Sequence, residues 1–386
     1  MKIESLTNEC TGCFACQNAC PVDAITMTEE KEGFYYPHID SDKCIECGKC
    51  DRTCPQLKDL EYYSTTRAFY GWSKNSNIRQ KSSSGGIFHE LATYTLNQCG
   101  VVYGAAFSYG ETLRLECKST KEVDLQALMK SKYVQNYIGY AFREIKKDLD
   151  SDKQVLYCGT PCQIDGLRSF LNKSYKNLLT CDFVCHGVPS ISLFRQHLEY
   201  IGYKNATSID FRPKKREWVD NFDIEDGYGR RRSIHWKLDE YFYSFEKNIN
   251  LRRSCFNCKH CNGKRAADIT LADFWGIYKY APNEFDKRGI SLILANNEKG
   301  KEVIEKISNT GSWNIKHLPI EHSDYVYKRI RSEKSSGYDI ERRNRFISDV
   351  QAFGYKTAIK KNNIYVPISK KITYALKEAI KQILKR

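Results

Sequence analysis

The chain has 386 residues, 41% of them apolar, and carries a formal net charge of +14. That length exceeds one ordinary core and predicts two or three domains. No apolar run approaches the length of a membrane span, and no apolar stretch separates Met1 from Cys10, so neither a transmembrane segment nor a secretory signal is expected. Seventeen cysteines in such a chain point to metal or redox chemistry in a reducing, cytoplasmic compartment rather than to a disulfide framework.

The first 55 residues write one pattern twice. Cys10, Cys13, Cys16 and Cys20 precede Pro21, and Cys44, Cys47, Cys50 and Cys54 precede Pro55. Each run is C-x2-C-x2-C-x3-C-P, the spacing of a two-cluster [4Fe–4S] ferredoxin in which the fourth cysteine of each run serves the other cluster. The reading therefore assigns Cys10, Cys13, Cys16 and Cys54 to one cubane and Cys44, Cys47, Cys50 and Cys20 to the other. Zinc knuckles usually pair separate C-x2-C units, and disulfides between cysteines so close in sequence would be strained. Gly12 and Gly48 loosen the two loops, and each proline ends one.

Between the runs, Ala24–Met27 and Phe34–Tyr36 read as short strands around Gly33. Residues 61–66 read as a linker. Ala68–Trp72 is then predicted as a strand, Lys81–Gly86 as a Ser/Gly-rich loop, Ile87–Asn97 as a helix and Val101–Phe107 as a strand. Helices are predicted over Lys121–Lys130 and Tyr140–Leu149, a buried strand over Gln154–Tyr157, a helix over Ile164–Leu171 and a strand over Leu178–Val184. Strands alternating with helices imply an α/β sheet with sites at its strand C-terminal ends. Residues 210–250 read as an antiparallel insertion. Ile372–Arg386 reads as a basic amphipathic helix, docked on its own protein or in contact with an anionic membrane surface.

Beyond the ferredoxin pattern, Ser82, Ser83, Ser84, Gly85 and Gly86 sit between a strand and a helix, where backbone N–H groups and hydroxyls can hold an anion or simply cap the helix. Cys158–Gly159–Thr160–Pro161–Cys162 follows a strand, and Cys181 and Cys185 follow the next. Cys255, Cys258 and Cys261 repeat the three-thiol spacing without a fourth member. A third [4Fe–4S] cluster there needs a distant ligand, Cys162 or Cys185; a zinc site with a distant cysteine or His260 is the alternative. Cys99 and Cys117 read as inert core thiols. Lys214–Lys215–Arg216, Arg230–Arg231–Arg232 and Arg252–Arg253 read as solvated surface, because no nucleic-acid motif accompanies them.

Five segments occur in order: Ser82–Gly86, Lys132–Tyr133–Val134–Gln135, Gly159–Thr160–Pro161–Cys162–Gln163, Cys185–His186–Gly187–Val188–Pro189–Ser190 and Ala267–Asp268–Ile269–Thr270. Together they resemble the family of coenzyme F420 hydrogenase/dehydrogenase beta subunits. One position departs: Ala272 precedes Asp273 where the family usually has glycine. The resemblance implies an α+β multidomain protein: a ferredoxin-type dicluster domain over 1–60, an α/β flavin-binding domain over 65–320 (parts 65–145 and 150–320), and a basic helical extension over 321–386. It implies FAD beside a [4Fe–4S] cluster, with Ser82–Gly86, Lys132, Gly159, Thr160, Pro161 and Gln163 as flavin contacts. The expected function is electron transfer between clusters and a flavin that exchanges hydride with F420 or another small-molecule substrate. A non-catalytic subunit wiring a partner enzyme is the alternative. A ferredoxin-type or enzyme redox partner is expected, and no nucleic acid. His186 is expected to pack or hydrogen-bond beside the cluster rather than to react.

Overall fold

The computed structural model describes residues 2–214, 218, 221–323, 327, 337–365, 369, 372 and 376. Apart from Ile372 and Leu376, the amphipathic segment expected over Ile372–Arg386 lies outside the described residues, as do Lys215 and Arg216. No helix among the described residues is long and apolar enough to cross a membrane.

A two-stranded antiparallel sheet, β1 (Ile25–Glu29) with β2 (Tyr35–Ile39), separates the two N-terminal cysteine runs. Each run makes the same loop. Backbone φ is positive two and four residues after the first cysteine: Gly12 (63°) and Phe14 (66°) in one, Glu46 (51°) and Gly48 (66°) in the other. Glycine therefore relieves one left-handed position per loop, and a non-glycine residue bears the strain at the other. A five-residue helix follows in each case (Ala15–Ala19, Lys49–Thr53). Each ends at a cysteine in extended conformation, Cys20 or Cys54, as a residue before proline must.

The large domain is built on a mixed sheet of eight strands: β3 (Arg67–Ser73), β4 (Val101–Ser108), β5 (Arg114–Ser119), β6 (Val155–Cys158), β7 (Leu178–Phe183), β11 (Ile269–Asp273), β12 (Ser291–Ala295) and β13 (Trp313–Leu318). Their order is β13-β3-β12-β11-β7-β6-β4-β5. The central four, β4-β6-β7-β11, run parallel, and antiparallel strands flank them. The parallel strands are mostly apolar because both faces are covered, the pattern such sheets require, with Thr180, Asp182 and Thr270 as buried polar exceptions. β8 (Ala206–Asp210), β9 (Asn221–Asp226) and β10 (Arg231–His235) form a separate antiparallel sheet within the expected insertion.

Several expectations shift. The helix expected over Lys121–Lys130 shrinks to Leu125–Leu128. Glu122 caps a turn by accepting from the Ser119 amide and hydroxyl, and Lys130 turns left-handed (φ 70°) to send the chain toward the cavity. Cys99 is exposed on a left-handed turn rather than in the core. The helices Gly337–Phe353 and Tyr355–Lys361 are part of the body: Phe346, Ile347, Val350, Ala358 and Ile359 bury against Leu193 and Ile249. His197, fully buried, pairs with Asp239 at 2.9 Å and meets the Tyr355 hydroxyl at 3.2 Å, fixing that packing.

Candidate functional site

The C-terminal ends of β4, β6, β7 and β11 open on one cavity of about 1080 Å³, at the edge where parallel sheets place their sites. Ser82, Ser83, Ser84, Gly86, Lys132, Gly159, Thr160 and Gln163 line it, as do Cys185, His186, Arg212 and Asp273. Gly85 and Pro161 do not. Gly85 is pressed into the sheet, where a Cβ would stand 2.4 Å from the Gly71 carbonyl. Pro161 starts the helix Pro161–Leu171, and Gln163 Oε1 accepts from the Thr160 amide at 3.0 Å to close its first turn.

The serine loop is tied down. Ser82 donates to the Ile78 carbonyl, Ser84 to the Ile290 carbonyl, and Ser83 Oγ accepts from the Ser131 amide at 2.8 Å. What this leaves facing the cavity is the N-terminus of the helix Ile87–Leu96, entered through Gly86 at φ 92°. Its positive end suits an anion. Lys130, Arg212 and Lys287 add charge to the walls, and Tyr133, Trp236, Phe245 and Trp275 add flat apolar surface.

Arg212 and Lys214 were missed as site-building residues. Arg212 is 3% exposed and forks onto both oxygens of Asp273 at 2.8 and 3.3 Å. Lys214, read from sequence as solvated, is buried, and its ammonium donates to the Arg79, Ser84 and Arg288 carbonyls. It staples the serine loop to the segment before β12.

Burial pushes the Lys132 ammonium down to about 7 from its ordinary 10.5, against the pull of Cys158 and Asp210. It donates to the Met129 and Lys130 carbonyls. Between those two values the unfolded chain keeps a proton that the folded chain has released, so this residue makes the fold more stable as pH rises through the window. In urea unfolding of the cofactor-free protein near pH 7 and at about pH 10, wild type should gain stability relative to Lys132→Met. Parallel profiles would mean that the ammonium is solvated.

None of the 17 cysteines is in a disulfide. In the first N-terminal run, burial pushes the Cys13 thiol up to about 12, and Cys54 and Cys10 act on it in the same direction. Cys16 is raised well above the usual thiol range by burial and by Cys13, Cys10 and Cys54. The structure thus brings Cys54, from the second run, beside Cys10, Cys13 and Cys16. Cys20 packs with Cys44 and Cys50 in a small apolar cluster.

Three buried donors without partners among the described residues converge on the first loop: Gln135 Nε2 and both terminal nitrogens of Arg252. A Cβ on Gly12 would stand 2.4 Å from Gln135 Nε2 and 3.1 Å from one of those nitrogens. Arg252 is fully buried and not part of a solvated Arg–Arg pair; its Nε donates to the Cys10 carbonyl at 2.7 Å. Orphaned donors aimed at a ring of thiols fit an anionic iron–sulfur cluster, whose sulfurs accept hydrogen bonds.

Around the third cysteine group, the thiol of Cys162 is raised well above its usual range, by burial first and then by Cys185, Cys258 and Cys255. Cys162 therefore lies near Cys185 and near two members of the three-thiol run. Among the described residues no three His, Cys, Asp or Glu groups close tightly enough round a point to hold a single ion. Cys185 and His186 also line the cavity, and the His186 ring meets Phe245 edge-on with centroids 4.8 Å apart. Asp165, 1% exposed, ties this group to the rest: Tyr62 donates to it at 2.9 Å, and Lys259 and His260 lie 3.2 and 3.1 Å away.

A dicluster module set against a mixed-sheet domain with a deep cavity and a third cysteine group defines an iron–sulfur electron-transfer protein. Residues 9–57 match the 4Fe-4S dicluster domain, and residues 152–320 match the C terminus of the coenzyme F420 hydrogenase/dehydrogenase beta subunit. Residues 152–320 are thus similar to the C terminus of these beta subunits, with a dicluster domain N-terminal to them. It is 24% identical over 327 residues to the coenzyme F420-dependent sulfite reductase of Methanocaldococcus jannaschii, covering 80% of this chain and 47% of that protein. It is 23% identical over 231 residues to one of the subunits of F(420)H(2) dehydrogenase from Methanosarcina mazei, covering 56% of this chain and 65% of the relative. The chain thus spans about half to two-thirds of these relatives' length. A chain of the F420-reducing [NiFe] hydrogenase complex from Methanosarcina barkeri aligns at a TM-score of 0.45 and 14% identity, over 75% of this chain and 94% of that one.

Proposed function

We propose that this chain is an iron–sulfur flavoprotein oxidoreductase in which FAD occupies the cavity and a third [4Fe–4S] cluster sits behind its wall. The observation that carries this reading is the double position of Cys185: it lies beside Cys162, which also faces Cys255 and Cys258, and it lines the cavity. A flavin supplies the exchange between two-electron hydride chemistry and one-electron transfer. The protein's part is to bind and orient. The N-terminus of the Ile87–Leu96 helix and Arg212 would hold the anionic end, Thr160 and Gln163 the turn beneath it, and Tyr133 and Trp275 the flat faces.

The relatives' names make coenzyme F420 the first substrate to test. An anionic deazaflavin suits walls that carry Lys130 and Lys287. A second reading, a subunit that only wires a partner enzyme, draws support from the name of the Methanosarcina mazei relative, itself a subunit of F(420)H(2) dehydrogenase.

The test is iron, acid-labile sulfide, zinc and flavin per chain on protein purified without oxygen. Three cubanes give about 12 iron atoms and two give about 8. About 12 with FAD supports the proposal, and about 8 with no flavin removes it. Cys162→Ser and Cys185→Ser should separately identify the fourth ligand. If neither lowers the iron content, no third cluster is held there.

A further inference from the structure

The helix Pro161–Leu171 places Cys162, Gly166 and Ser169 at i, i+4 and i+7, on one face. Along that face it meets all three cysteine groups in turn. Cys162 faces Cys185, Cys258 and Cys255. At Gly166 a Cβ would stand 2.9 Å from Cys13 Cβ and 3.1 Å from its Sγ, so only glycine lets the first ferredoxin loop come this close. Ser169 donates to the Thr53 carbonyl at 2.6 Å, beside Cys54. Burial first, then Cys117, Cys158, Cys162 and Cys13, push the Tyr157 hydroxyl up, and it has no hydrogen-bond partner among the described residues.

The two ferredoxin loops are not equivalent. Cys13, Phe14 and Ala15 are buried, Cys13 against Gly166 of this helix, whereas Cys47 is exposed and Ile45 is 61% exposed. Beside the exposed loop lies a groove of about 720 Å³ lined by Lys2, Lys49, Arg52 and Lys58. Its one acid, Asp51, already accepts from the amides of Lys2 and Ile3 at 3.1 Å.

We propose that the two ferredoxin centres work in a fixed order: the exposed Cys44–Cys50 loop is the outer port, the buried Cys10–Cys16 loop is the inner one, and electrons cross at Gly166 toward the Cys162 group. The basic groove fits the port to a small acidic protein carrying a one-electron centre. In each transfer that carrier loses one electron, the outer centre gains it, and no bond or proton moves. This rests on the cluster reading above.

The test uses full-length protein purified without oxygen and a reduced, acidic plant-type [2Fe–2S] ferredoxin as carrier. The triple variant Lys2→Glu, Lys49→Glu, Lys58→Glu should slow reduction about tenfold or more at low salt and flatten the salt dependence. Reduction by dithionite should not change, nor should Lys306→Glu on the far helix Glu298–Asn309 slow the carrier. An equal loss in that control, or no loss in the triple variant, overturns the port.

In Gly166→Leu, with iron held at wild-type content, the ferredoxin module should still be reduced while the fast phase of reduction beyond it is lost. Unchanged passage overturns the crossing. If the variant loses iron, the wild-type fold still decides. Magnetic coupling to the third cluster should survive Cys47→Ser and vanish in Cys13→Ser, and the reverse overturns the order. A wild-type chain with about 8 iron atoms removes the third cluster, and with it the crossing, while the carrier rates still test the port.

Discussion

Replacing Asp165 with alanine should lower the stability of the fold by about 3–5 kcal/mol, the usual cost of removing one partner from a buried charged set. Its buried carboxylate accepts from Tyr62 and lies 3.2 and 3.1 Å from the Lys259 and His260 nitrogens; with it gone Lys259 keeps the Pro55 carbonyl, but the buried His260 ring loses the carboxylate it faces. Asp165→Asn keeps an acceptor and should cost less. Guanidinium unfolding under argon, with iron content checked before denaturation, measures both. An alanine variant within about 0.5 kcal/mol of wild type, the range of an ordinary surface change, would mean that these three side chains find water. Because Lys259 and His260 lie between Cys258 and Cys261, the same variant should also lose iron from the third group and leave the ferredoxin runs loaded.

The second large effect is on a reduction potential. Arg252→Met should make the first-loop centre harder to reduce, moving its midpoint negative. Arg252 hangs over the Tyr36 ring at 4.1 Å, is tied to the Cys10 carbonyl, and offers two nitrogens that no atom of the described residues accepts. A unit charge a few ångströms away in an effective dielectric of about 20 is worth about 2–4 kcal/mol. For one electron that is on the order of 100 mV. Adding an electron adds negative charge, so losing the cation disfavours the reduced form. Arg252→Lys retains the charge and should shift the midpoint less. A redox titration followed by electron paramagnetic resonance reads both, and an unchanged midpoint in a fully loaded Met variant rules the interaction out.

Both predictions concern residues that sequence reading passed over. The cysteine runs were legible because ligand spacing is local: three thiols at intervals of three, then a proline, are written within eleven residues of Cys10. The sheet edge was legible for a related reason, since Val155–Cys158 and Leu178–Phe183 are short apolar runs that end in polar turns. Arg252 sits beside Arg253 and looks like surface, and nothing near it in sequence announces the first cysteine loop 242 positions away. Asp165 lies in an apolar helix where an isolated acid could have raised suspicion, but its partners come from residues 62, 259 and 260. Gly166 gives still less warning, because a helical glycine reads only as a weak helix former. Its meaning is the thiol pressed against it. Phe14 and Glu46 carry left-handed backbone with no glycine to mark them. Such roles are set by tertiary contact, and spacing within one segment does not encode them.

The docking of the first 57 residues constrains how this gene can change. Arg143 holds the Asn18 and Cys20 carbonyls, Gln135 the Tyr35 amide, Ser190 the Gly33 carbonyl, Lys259 the Pro55 carbonyl, and Arg343 grips Glu32. These five anchors are scattered over more than 200 positions of the chain. Ferredoxin modules are often pictured as cassettes that recombination can exchange whole. Here an incoming cassette would have to meet five unrelated anchors at once, so the two halves of this protein are bound to vary together.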